Sequence, residues 1–296
     1  MTDYLQQASF LHRQETERIE AARRAQTAEY RRRQRFNRMI DFSRGAHGGE
    51  VPVTFAADES CCAPGRVSGM LADRSTPLAA VICHPWGPMG GSMYDTHVCE
   101  MAGLLGVEGS ITTLRFNFRY GIGRGRSSEA DIRGACALLQ TLDPPPRGIL
   151  LCGYSYGACV VADAAPKIDA VKAFAMISPP LGPALLLFGG RDPMAEARGS
   201  PKPKLMIVGD RDQFCSTQRF AICARTLAEP KRCNVVTTDE VTACGDGCGH
   251  SHNVGVDHFS MFKRLADSLV PWVEETFGLP LASLGKSTGE LQTPPQ

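Results

Sequence analysis

A chain of 296 residues is long enough to bury a substantial core, as one large α/β domain or two small ones. An apolar content of 43%, a charged content of 21% and a formal net charge of +1 are ordinary for a soluble globular protein, and they exclude any general attraction to nucleic acid or acidic membranes. No run reaches the roughly 18 apolar residues of a membrane span. Met1-Thr2-Asp3-Tyr4 lacks the basic start and apolar stretch of a secretory signal, so the twelve Cys are expected to be reduced, mostly buried small residues of a cytoplasmic protein.

Residues 1–49 differ from the rest. Ten Arg (among them Arg13, Arg18, Arg31, Arg32 and Arg33) outweigh six acids, and Pro and Gly are absent before Gly45. Glu20/Arg24 and Glu29/Arg33 stand at i,i+4, which predicts a solvated, charged helical extension. Its larger apolar residues are too uneven for a coiled-coil seam. A basic docking arm for a protein partner, anionic lipid or RNA is the alternative. A mitochondrial leader would be poorer in acids than a segment holding Asp3, Glu15, Glu17 and Glu20.

From Glu50 the pattern becomes strand-like. Val51–Phe55 and Arg66–Leu71 suit an antiparallel start to a sheet, and Leu78–Cys83 is a continuous apolar run of the kind buried on both faces of a parallel sheet. The loop His84-Pro85-Trp86-Gly87-Pro88-Met89-Gly90-Gly91-Ser92-Met93 follows. Thr96–Leu105 reads as helix, Ile111–Phe118 as strand and Glu129–Leu142 as helix, stopped by Pro144-Pro145-Pro146. Strands are expected at Gly148–Cys152, Val171–Ile177, Lys204–Val208 and Cys233–Val236. Helices are expected at Thr217–Ala228 and Phe259–Phe277, the last kinked or broken at Pro271. This alternation implies a mostly parallel sheet with helices on both faces and no second domain, spanning residues 50–280 and followed by a tail at 281–296.

Gly153-Tyr154-Ser155-Tyr156-Gly157 lies between the apolar run ending at Cys152 and the small-residue run Ala158–Ala162. In a strand-to-helix setting this G-x-S-x-G pattern is a nucleophile elbow. The turn holds Ser155 in strained geometry at the top of a sheet, and the residues two places away on either side must lack bulk.

The apolar strand, the His84-Pro85 loop with Gly90-Gly91-Ser92-Met93, Arg115-Phe116-Asn117-Phe118-Arg119, the elbow and the late Asp257-His258-Phe259 together resemble the α/β-hydrolases of the small serine esterase and dienelactone-hydrolase-like type. The resemblance covers roughly residues 50–280 and implies an α/β-hydrolase fold, a Ser/Asp/His triad and hydrolysis of an ester, thioester or amide, with no cofactor. Tyr120-Gly121-Ile122-Gly123-Arg124-Gly125 fits the family's compact turn loosely, and Thr242–Asn253 is a departure from its pattern.

A serine hydroxyl needs a base within reach and a third group to orient that base. In such a fold the acid and then the His follow the Ser in chain order. Asp210 and Asp212 compete after Val208-Gly209. The family's spacing from that Gly favours Asp212 and leaves Asp210 as a turn or cap residue. For the base, His258 opens the final helix and His252 is the reserve. The oxyanion donors are expected to be the amides of Tyr156 and Trp86, with Gly87 as the alternative to Trp86, since Pro85 has no amide hydrogen. Trp86 and Met89 also suit the wall of an acyl pocket or plain packing, and His84 is expected to brace the loop rather than move protons.

Cys244, Cys248, His250 and His252 invite a metal reading. The Cys pair has a zinc-like spacing but the His pair does not, so a Gly-rich loop is expected there. Leu181–Pro201 is either a lid or a long connection. The expected activity is therefore a serine hydrolase acting on a small-molecule ester or thioester. Its rival is a non-catalytic protein of the same fold that joins a complex through the arm.

Overall fold

The structure is a computed structural model that describes residues 49–58, 65–119, 126–182, 192–237 and 258–279. Eight strands form one sheet: β1 (Val51–Ala56), β2 (Arg66–Ala72), β3 (Leu78–Cys83), β4 (Thr112–Phe116), β5 (Gly148–Tyr154), β6 (Val171–Ile177), β7 (Lys204–Gly209) and β8 (Lys231–Val236), in the order β1-β2-β4-β3-β5-β6-β7-β8. β1 and β2 run antiparallel to their neighbours and all other pairings are parallel, as the sequence pattern implied.

The central strands are buried at every position, which is why β3 and β5 read as continuous apolar runs, while the edge strand β1 is mostly exposed. Successive residues of one strand serve opposite faces. Ala79, Val81 and Cys83 pack with α2 (Arg126–Gln140) and α3 (Tyr156–Ala164). Leu78, Ala80 and Ile82 pack with α1 (Thr96–Ala102) and α6 (His258–Phe277). Two shorter helices, α4 (Ala195–Gly199) and α5 (Thr217–Thr226), complete the described residues.

Two expected helices differ in detail. α1 runs on through a π-helical segment, Gly103–Glu108, rather than ending at Leu105. α6 continues through Pro271 instead of breaking there. Pro271 and Asp267, whose carbonyl loses the donor that Pro lacks, both lie on the exposed side, where water can replace the missing bond. Of the eight described cysteines, all free, seven are buried and Cys233 is partly so.

The Arg-rich arm through residue 48, the Tyr120–Gly125 turn, residues 183–191 of the Leu181–Pro201 stretch, the Cys244–His252 loop and the 281–296 tail lie outside the described residues. Among the described residues no helix is long and apolar enough to cross a membrane, and no group of three His, Cys, Asp or Glu could hold a metal.

Candidate active site

The parallel register brings four strand ends together. Cys83 of β3 is opposite both Phe116 of β4 and Gly153 of β5, and Tyr154 is opposite Ile177 of β6, which in turn faces Ile207 of β7. The next residues in each strand, His84, Asn117, Ser155 and Ser178, therefore emerge at one edge of the sheet.

Ser155 sits between β5 and α3 with φ 54° and ψ −117°. That conformation costs a non-Gly residue about 1–3 kcal/mol and persists because its surroundings over-determine it. The Ser155 amide donates to Ile177 O at 2.9 Å, and its carbonyl accepts from Ala158 N–H at 3.0 Å. A side chain at Gly153 would run into Gly157 O, and one at Gly157 would run into the carbonyls of Cys83 and His84. The two glycines of the motif thus let β5, α3 and the end of β3 approach closely enough to form the turn. Ser155 is partly exposed at the amino end of α3, where the helix field favours negative charge. Cys152 is fully buried in β5, and burial raises its thiol pKa, which leaves it a packing residue.

The loop after β3 is pinned to β4 at three points. His84 Nε2 accepts from Phe118 N–H at 3.0 Å, and its Nδ1–H donates to Pro85 O, so both ring nitrogens are spent and the tautomer is fixed. Burial lowers the pKa of this histidine, which keeps it neutral. It braces the loop, as expected. Met93 N–H donates to Asn117 Oδ1 at 2.8 Å, and Met93 O accepts from Arg115 Nη1 at 2.6 Å. Arg115 is itself held by Glu50 in a buried two-pronged pair, Nε to Oε1 at 2.7 Å and Nη2 to Oε2 at 2.6 Å.

Within the loop a short 3₁₀ turn, Gly87–Met89, directs the amides of Met89 and Gly91 onto Trp86 O, both at 3.1 Å. The amides of Trp86 and Gly87 donate to nothing among the described residues. Tyr156 is anchored by its hydroxyl on Ser128 Oγ at 2.9 Å and by edge-on contact with Phe118. Between loop, β4 and elbow lies a cavity of about 260 Å³, with His84, Trp86, Gly87, Asn117, Phe118 and Tyr156 in its wall. Met89 does not line it and is 69% exposed.

On the far side, after β7, Asp212 is 7% exposed and its Oδ1 accepts from the amides of Phe214 at 2.8 Å and Cys215 at 3.0 Å. Asp210 is less buried, and its amide extends the β7–β8 ladder by donating to Val236 O at 3.0 Å. The backbone of His258 begins α6, but its side chain, like His252, lies outside the described residues.

Three further residues lie near the site. His97 stacks on Tyr154, the neighbour of Ser155, with ring centroids 4.0 Å apart. One turn further along α1, Glu100 is fully buried with no hydrogen-bond partner for either carboxyl oxygen. Burial, helped by the nearby Asp95, pushes its pKa up to about 9. Ser178, also buried, has φ 47° at the end of β6. The apolar surroundings of Glu100 on α1 gave it the look of an ordinary helix residue, and only its i+3 spacing from His97 hinted at its place.

A mostly parallel eight-stranded sheet, helices on both faces and a strained serine at a strand–helix turn define the α/β-hydrolase fold. No family model matches the sequence. Over 161 residues the chain is 27% identical to an uncharacterized protein of Rickettsia prowazekii, a stretch that covers 51% of this chain and about 65% of that relative. Similar solved structures include an α/β serine hydrolase without a lid from Xanthomonas campestris (22% identity, 78% of this chain and 96% of that one, TM-score 0.55). An α/β serine hydrolase homologue from Coxiella burnetii is 20% identical, over 75% of this chain and 97% of that one, with a TM-score of 0.55. A Pyrococcus furiosus esterase is 17% identical, over 75% and 91%, with a TM-score of 0.59. At these identities the likeness is one of fold.

Proposed function

We propose that the protein is a serine hydrolase that cleaves an ester or thioester through an acyl-enzyme on Ser155. The observation that carries this reading is the backbone of Ser155, at φ 54° and ψ −117° between β5 and α3. Strain of this kind, held by two glycines that admit no side chain, is a cost without return in a merely structural turn.

In this reading Ser155 Oγ attacks the substrate carbonyl while its proton passes to His258. The amides of Trp86 and Tyr156 stabilise the negative charge on the carbonyl oxygen, and Trp86 suits the role because its N–H is uncommitted. The imidazolium returns the proton to the leaving alcohol or thiol, and water repeats the sequence to free the acid. Asp212 orients the histidine. Its burial and its two backbone donors favour it over Asp210, and it follows a strand two places from β5, a lateral gap of about 10 Å that an imidazole can bridge. Residues 50–280 form the catalytic unit of a cytoplasmic enzyme, with the Arg-rich arm 1–49 and the tail 281–296 appended to it.

Labelling by a fluorophosphonate probe tests the reading. The native protein labels, and Ser155→Ala and His258→Ala abolish labelling while remaining folded. Well-folded native protein that takes no label would overturn the reading and favour a non-catalytic role in a complex.

A further inference from the structure

Among the described residues, the cavity that reaches the elbow at Tyr156 lies over the ends of β3 and β4, whereas the candidate acid follows β7 on the other side of β5. The base must reach the leaving group to protonate it, so the leaving group belongs on the β7 side and the acyl group is left to the cavity. At about 260 Å³ the half-open cavity falls below the roughly 300–1,000 Å³ of drug-sized sites, a size that suits a short chain.

Its wall is not that of a plain alkyl pocket. Trp86, Phe118 and Tyr156 supply apolar faces, but Asn117 and Ser92 also line it. Asn117 Oδ1 is taken by the Met93 amide, which fixes the flip of the side chain and leaves its NH2 group with no partner among the described residues. Ser92 Oγ accepts from Tyr94 N–H at 3.2 Å, which leaves the hydroxyl hydrogen to donate. His84 offers nothing, since both of its nitrogens are engaged. Among the described residues no Lys, Arg, Asp or Glu is present in the wall. The cavity therefore presents hydrogen-bond donors without charge.

We propose that this cavity is the acyl subsite and that it selects a short acyl group bearing a neutral oxygen acceptor, a hydroxy- or oxo-acyl chain, with the Asn117 side-chain amide as the donor that reads it. The inference rests on the hydrolase reading above and adds the substrate class. A plain alkyl chain would bury the Asn117 amide without a partner, whereas a carboxylate would enter with no cation to receive it.

The test compares p-nitrophenyl butyrate with p-nitrophenyl 3-hydroxybutyrate and p-nitrophenyl acetoacetate, after correction for their rates of spontaneous hydrolysis. Wild-type kcat/KM is expected to favour the oxygen-bearing esters by about tenfold, the worth of one neutral hydrogen bond. Asn117→Asp keeps an acceptor for the Met93 amide and removes the donor, so the loop stays pinned while the preference for the acetoacetate ester, whose oxo group can only accept, falls to unity or reverses. Because the readout is a ratio of two substrates on one enzyme, a loss of folded protein cancels from it. Equal rates in the wild type, or an acetoacetate preference that survives Asn117→Asp, would overturn the subsite while fluorophosphonate labelling still upheld the hydrolase. Absence of both labelling and hydrolysis would bring down the parent reading and this one with it.

Discussion

Replacing Glu100 with Gln removes a proton-binding group from the interior while keeping its size. The native carboxyl is fully buried, its two oxygens have no partner, and its pKa is pushed from an ordinary 4.5 up to about 9. The folded protein therefore holds a proton at Glu100 that the unfolded chain has already lost over most of that interval. Because the folded value is the higher one, stability is fully present below pH 4.5 and is lost as pH rises toward 9. Within the window one group contributes about 1.4 kcal/mol per pH unit, so about 3 kcal/mol separates pH 6 from pH 8. Urea denaturation of wild type and Glu100→Gln at pH 6, 7 and 8 measures the effect. The wild type is expected to lose about 3 kcal/mol more than the variant over that interval. Parallel pH profiles for the two proteins would refute the reasoning, because the comparison of slopes is indifferent to what the new amide does to packing.

Two further outcomes follow from buried groups that the site depends on. Arg115→Leu strands the Glu50 carboxylate in the interior and releases Met93 O, and it is expected to cost about 3–5 kcal/mol in urea denaturation, with Glu50→Met added to it recovering much of the loss. A single variant within 1 kcal/mol of wild type would mean the pair is not closed in solution. Asp212→Asn is expected to lower kcat on an activated ester by about 10³–10⁴ with the fold intact, while Asp210→Asn leaves it near wild type. The opposite pattern would move the acid to Asp210.

The elements that the sequence disclosed are those whose environment repeats along the chain. Leu78–Cys83 and Gly148–Cys152 are apolar throughout because both faces of β3 and β5 are covered, and that pattern alone separates parallel central strands from the half-exposed β1. The elbow was legible because its geometry forbids side chains at Gly153 and Gly157, a local requirement that a short motif can carry. Glu50 and Arg115 were not read as partners, since their pairing spans 65 residues and depends on how β1, β2 and β4 stack in register. Asn117 was quoted as part of a motif, yet its double duty, acceptor for the loop and unspent donor at the cavity, needs the fold to bring Met93 beside it. Whether Pro271 would break its helix could not be read from the missing bond alone, since that depends on Asp267 and Pro271 lying on the exposed side, where water can take its place.

Four successive residues, Arg115 to Phe118, span the end of one buried strand, and three of them act as a jig for the loop after β3: Arg115 and Asn117 grip Met93, and the Phe118 amide grips His84. The two ends of the loop are thereby set by a rigid template, while Gly87 to Ser92 between them are spared that duty. Substitution of Ser92, whose side chain lines the chamber, can reshape it without shifting the frame that carries the amide of Trp86. A scaffold of this kind separates the evolution of what is accepted from the machinery that would act on it, although Gly90, at φ 87°, and Gly91, where a side chain would meet the carbonyls of Pro85 and Trp86, must stay glycine.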